Sequence, residues 1–184
     1  MGFIKLDFTV AAPVEHVWNF GLQAENIPKW QFDVVAVKGI SGSIDRKGTK
    51  YNLVYKKAGM LLSSPVEVSR LEPENLTIET AGQTPLGGCF KSCTTMRRIN
   101  EQMTHVDWVM DYKLPGWVLG VLMDMLLFQW AFRKTVQKYN KNFKSLAEKT
   151  FFQNDDSSLQ QVDEYCLASR PNHKNSPKVK SREL

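Results

Sequence analysis

His105 and Asp107 are the pair in this chain best suited to move a proton, because side chains two apart on a strand stand on one face and an imidazole beside a carboxylate can act as acid and base. On the same stretch Thr104, Val106, Trp108, Met110 and Tyr112 alternate with His105, Asp107 and Asp111. The apolar set is expected to face inward, which sends the His–Asp pair outward; a slip of one residue in register would reverse the two sets. Asp124 is the odd residue in the apolar run from Trp117 to Phe132. Burial there would raise its pKa toward general-acid use, so His105 and Asp124 are the candidate catalytic residues. His16 beside Glu15 is expected in solvent. Arg97-Arg98 should put one guanidinium on each face of a strand, the inward one able to bind a carboxylate.

Other chemistries lack their patterns. There is no Ser/His/Asp order, Walker loop, dinucleotide glycine fingerprint or zinc spacing. The Gly39 to Gly48 stretch has glycines without the G-K-[ST] ending and reads as a hairpin. Cys89 and Cys93 lie four apart, Cys166 stands alone, and no metal or cofactor is implied.

Those residues need a scaffold, and 184 residues with 42% hydrophobic content suffice for one core. We expect one domain, 1–149, and a tail, 150–184. The net charge of +5 is scattered, with no run of four basic residues. In the tail Arg170, Lys174, Lys178, Lys180 and Arg182 are balanced by Asp155, Asp156, Asp163, Glu164 and Glu183, so no nucleic-acid partner is expected. The start lacks a basic stretch followed by an apolar core, and the thiols read as free, which points to the cytoplasm. On that reading the sequon at Asn75 is accidental. Residues 117–132 are too short, and carry an aspartate, for a membrane span of about 20 apolar residues.

Along the chain, Phe3 to Val10 alternates as a half-buried strand, and Pro13 precedes Val14, Val17, Trp18 and Leu22 at helical spacing. A second short helix is expected over Ala24 to Trp30. Strand runs follow at Phe32–Val37, Thr49–Lys56, Met60–Leu71, Leu76–Ala81, Phe90–Ile99 and Thr104–Lys113. Pro115-Gly116 ends the last strand. Trp117 opens a long helix, apolar all round at first, then striped by Phe128, Phe132, Val136, Tyr139, Phe143 and Leu146. Beyond Thr150 the periodicity fades into a composition expected to stay disordered.

That order, with Val10-Ala-Ala-Pro13, Val17-Trp18, Asn26-Ile-Pro-Lys-Trp30 and Leu114-Pro-Gly-Trp117, resembles the START/Bet v 1-like (SRPBCC) superfamily, and within it the polyketide cyclase/dehydrase and lipid-transport group. The resemblance covers roughly residues 3–149. It implies an α+β helix-grip fold, a curved antiparallel sheet wrapped on the long helix, with an apolar small molecule held between them. The residue pattern supplies a candidate ligand-binding wall: Tyr51, Leu53, Tyr55, Val66, Ile78, Phe90, Met96, Val106, Trp108, Met110 and Tyr112, with Val68 and Leu76 on the same faces. Met123, Leu126, Leu127 and Trp130 are the candidate lid from the helix. A tyrosine can turn a hydrogen-bonding tip into such a cavity, and methionine suits a flexible ligand.

Apolar side chains outnumber credible proton-transfer groups, which favours binding or transport of a lipid, sterol, isoprenoid or polyketide. The alternatives are a cyclase or dehydratase acting on a polyketide-like substrate in the same cavity, and a module that contacts a protein or, transiently, a membrane surface. The sequence carries no signal of oligomeric state.

Overall fold

Period-two alternation carries seven strands into a single antiparallel sheet of order β1-β7-β6-β5-β4-β3-β2 in a computed structural model of the chain. The structure describes residues 2–40, 42–84, 87–113 and 124–168, the side chains of 124–129 and 154–168 excepted. The strands are β1 (Gly2–Val10), β2 (Val34–Lys38), β3 (Lys50–Lys57), β4 (Met60–Glu72), β5 (Thr77–Gln83), β6 (Cys89–Asn100) and β7 (Met103–Lys113). β2 to β7 form a meander and β1 pairs with β7. Between β1 and β2 come α1 (Val14–Leu22), a 3-10 turn (Ala24–Asn26) and α2 (Ile27–Trp30). This crossing sends β1 and β2 to opposite edges of the sheet. The helix-grip fold is completed by α3 (Asp124–Ala168).

Turn chemistry sets the register. Ala58 and Gly59 both take positive φ (49° and 80°) in the two-residue turn between β3 and β4, which aligns Lys57 with Met60. On β4 a bulge between Val68 and Arg70 adds a residue, so the apolar face passes from Val66 and Val68 to Leu71. Leu71 then packs against both main core clusters. Thr104, fully buried, donates to the Ala12 carbonyl at 2.8 Å and ties β7 to the turn leading into α1.

The first core cluster brings Val14, Val17, Trp18 and Phe20 of α1 onto Met96 and Val106 of the sheet and onto Phe143 and Ala147 of α3. The second holds Ile27, Val34, Tyr51, Leu53, Val66 and Val68. The striped part of α3 behaves as its spacing predicts, with Val136, Phe143 and Ala147 buried. Of its earlier, all-apolar part, Trp117 to Phe132, residues 117–129 lie outside the described side chains. Helical backbone continues to Ala168, well past Leu146, the last residue of that stripe. The chain divides at Phe151: residues 1–151 form one unit and 152–184 a second.

His16 is a correction. It is half-buried, and its Nε2–H donates to the Ala147 carbonyl at 2.9 Å while its ring meets Phe151 edge-on. The carbonyl can only accept, so the proton sits on Nε2. The flank of α1 that bears His16 is covered by α3, and the imidazole links the two helices.

Candidate ligand cavity

Between the concave face of the sheet, α1, α2 and α3 lies a cavity of about 400 Å³. The sheet contributes Tyr51, Leu53 and Tyr55 from β3, Val66 from β4, Ile78 from β5, Phe90 and Met96 from β6, and Val106, Trp108, Met110 and Tyr112 from β7. These residues meet because antiparallel register lines them up in rows. Tyr51 pairs with Val66, Val66 with Gly82, Gly82 with Phe90 and Phe90 with Tyr112. Gly82 has a reason to be glycine: a Cβ there would stand 2.5 Å from the Pro65 carbonyl oxygen and 3.0 Å from the Phe90 ring. The opposite wall is α3, through Phe132, Val136, Tyr139, Asn140 and Phe143, residues three and four apart that share one side of the helix.

Of the candidate lid, Trp130 is overturned. It is 59% exposed, with the Lys134 ammonium 3.7 Å from its ring centroid. Two residues, or about 200° of helical turn, separate it from the inward Phe132. Leu126 and Leu127 lie where side chains are outside the description, and Met123 lies outside the described residues. Of the two further wall residues, Val68 is fully buried in the second core cluster and Leu76, at φ 48°, packs against the first; neither lines the cavity.

Several lining residues escaped the sequence reading. Trp18, Gly21 and Leu22 come from α1 and Trp30 from α2, whose ring packs edge-on against Tyr139 and Phe143. Thr80, Ser92 and Thr94 also face inward. Strict alternation from Ile78 and Phe90 would have placed these three, but their polarity argued for solvent.

Lys57 is the one charged side chain among the described lining residues, and it is 3.4 Å from Asp33 with its own side chain 55% exposed. Asp33 also accepts a hydrogen bond from the Tyr139 hydroxyl. Burial, then that bond and the charge of Asp33, raise the Tyr139 pKa far above the usual phenol value. Tyr51 is 6% exposed, and burial alone raises its pKa. Its hydroxyl has no hydrogen-bond partner among the described residues, nor does that of Tyr55. For Tyr55 burial leads, followed by the charge of Asp33.

The candidate acid/base pair is elsewhere. His105 Nε2 lies 3.5 Å from Asp107, which also takes a 2.7 Å hydrogen bond from Arg97, on the face away from the cavity. Arg98 reaches Glu15 of α1 instead of the interior. The side chain of Asp124 is outside the description. Among the described residues no group of three or more His, Cys, Asp or Glu could hold a metal. None of the described helices is long and apolar enough to cross a membrane.

A seven-stranded antiparallel sheet gripping a C-terminal helix over an internal cavity defines the START/Bet v 1-like class of fold, and this chain has that fold. It superposes on the Zhui aromatase/cyclase from Streptomyces sp. R1128 with a TM-score of 0.65 at 14% identity, covering 80% of this chain and 94% of that one. A START superfamily protein from Mycobacterium smegmatis gives 0.57 at 14% identity, covering 82% and 97%. A protein of Thermus thermophilus gives 0.63 at 17% identity, covering 81% and 99%. At these identities the likeness is one of fold. No family model matches the sequence, and no curated protein matches it.

Proposed function

We propose that this protein binds, and carries, a hydrophobic small molecule of lipid, sterol, isoprenoid or polyketide type. The observation that supports the reading most is the cavity itself: about 400 Å³, walled by apolar and aromatic side chains, with a single charged residue among the described lining residues. That volume is in the range of roughly 300–1,000 Å³ usual for small-molecule sites. A few polar tips among apolar walls orient a ligand without charging it, and Tyr51 and Tyr55 are placed for that role. The wall residues from Tyr51 to Tyr112 are the proposed contacts.

A cyclase or dehydratase is the second reading, favoured by the aromatase/cyclase among the structural neighbours. Tyr139 with Asp33 is a carboxylate-linked phenol on the described lining. Its raised pKa holds the proton at neutral pH, so it is poorly poised as a base. Transient contact with a membrane surface is supported by Met60 and Leu61, exposed on β4 and paired in register with Lys57 and Lys56 of β3. We place the protein in the cytoplasm on its free thiols.

Native mass spectrometry of the gently purified full chain, with solvent extraction, tests the reading. A co-purifying apolar molecule near one-to-one is expected. An empty protein that also fails to take up the neutral dye N-phenyl-1-naphthylamine would overturn it.

A further inference from the structure

Polar atoms without partners inside an apolar cavity say what a ligand must bring. Register sets Thr80 of β5 opposite Ser92 of β6, both on the cavity lining, with their hydroxyl oxygens 2.9 Å apart. Two hydroxyls own two protons, and one mutual hydrogen bond uses one of them. Neither residue has a further hydrogen bond among the described residues, so whichever of the two donates, one O–H is left over. Thr94, two residues along β6 and therefore on the same face, also lines the cavity and its hydroxyl has no partner among the described residues. The three hydroxyls thus form a donor patch in the middle of the concave sheet.

The patch carries no charge, and the Glu79–Lys91 pair of the same two strands lies on the opposite face of the sheet. Lys57 stands on β3, two strands from Thr80 and three from Ser92, which is about 10–15 Å at the usual strand spacing, and it is engaged by Asp33. A carboxylate seated at the hydroxyls would lose its water with no cation in reach. A neutral carbonyl oxygen loses little and accepts two hydrogen bonds. We infer that Thr80, Ser92 and Thr94 form a subsite for a neutral acceptor oxygen, which makes the cavity selective for apolar molecules bearing a ketone, quinone or ester over hydrocarbons of the same shape. The inference rests on the ligand-binding reading above and adds to it the chemical class of the ligand.

Fluorene and 9-fluorenone share one tricyclic frame and differ by a carbonyl in place of a methylene. Their affinities for the full chain can be compared by displacement of N-phenyl-1-naphthylamine. Fluorenone is expected to bind about fivefold more tightly, the worth of one net hydrogen bond. In the Thr80→Val, Ser92→Ala double variant the preference should fall below twofold with fluorene affinity unchanged. Thr94→Val, a near-isosteric change that leaves the pair intact, should reduce the preference by a smaller factor and serves as the test should the double variant not fold. Equal affinities in the native chain, or a preference untouched by these substitutions, would overturn the subsite alone. Failure to bind the dye would overturn the cavity reading and the subsite with it.

Discussion

The two faces of this sheet handle polarity in opposite ways. On the outer face charges are plentiful and paired: Arg97 with Asp107 at 2.7 Å, and Glu79 with Lys91 at 2.9 Å and with Arg70 at 3.4 Å. On the inner face, Lys57 at its edge apart, the polar groups of the described strands are hydroxyls, several without partners among the described residues, set among apolar side chains. Exposed ion pairs contribute little energy because water already solvates their charges. A hydroxyl in an apolar wall has lost its water and gains from any acceptor that arrives. The residues that look most reactive in the sequence therefore serve the surface, and the neutral ones between them are left for recognition.

The sharpest way to break this contrast is to move charge across the sheet. Val106 is 2% exposed, one residue from the outward Asp107. Val106→Asp forfeits the buried valine and imposes a carboxyl with no partner, a combined cost above about 4 kcal/mol. Urea unfolding followed by circular dichroism should show a largely unfolded chain. A midpoint near that of the native protein would mean that the inner face is wet.

The buried phenols give the next effect. The pKa values of Tyr51, Tyr55 and Tyr139 are raised in the folded chain, chiefly by burial. Their contribution is fully present below the unfolded phenol value of about 10 and falls as pH rises beyond it, since only the unfolded chain then releases the protons. The loss approaches about 1.4 kcal/mol per pH unit for each tyrosine. Phenolate absorbance from these three should appear together with loss of structure in an alkaline titration. Phenolate formation near pH 10 in a folded protein would place their hydroxyls in solvent.

Asp107 samples the other face. Burial opposes its ionisation, but the hydrogen bond and charge of Arg97, with His105, hold its pKa below the usual carboxylate value. A depressed pKa contributes stability above the unfolded value of about 3.9 and loses it as pH falls through the folded one. Asp107→Asn should cost less than about 1 kcal/mol at neutral pH, and the difference from the native chain should close as pH falls through the depressed folded value. Ligand uptake should not change. Loss of uptake in this variant would return the His105–Asp107 pair to the site.

How much of this was legible in the sequence depends on how strongly a pattern is tied to burial. β7 was the clearest case: Val106, Trp108, Met110 and Tyr112 alternate with three titratable residues, and that contrast determines a register. β5 and β6 were harder to read, because threonine and serine suit both faces and only Ile78, Phe90 and Met96 marked the inner one. The bulge at Val68/Arg70 and the covering of His16 by α3 depend on tertiary packing that no local window contains. Asp33 drew no notice for the same reason. Its partners Lys57 and Tyr139 are remote in sequence and meet it only across the fold.

Trp130 gives the smallest expected effect and tests the helix side of the comparison. In the sequence it is a bulky apolar residue of the early helix, and by composition alone it belongs with the lid. In the structure the inner side of α3 passes through Phe132 and Val136, and Trp130 projects away from both, under the ammonium of Lys134. An exposed cation–π contact is worth about 0.5–1 kcal/mol, so Trp130→Ala should lower stability by no more than that and leave dye affinity within twofold. Phe132→Ala is the matched control, because that ring lines the cavity and meets Tyr112 edge-on at 5.1 Å between centroids. It should weaken dye binding by about tenfold, since a large apolar contact is removed. Equal effects from the two substitutions would mean that the helix turns a different side to the ligand, and Trp130 would return to the wall.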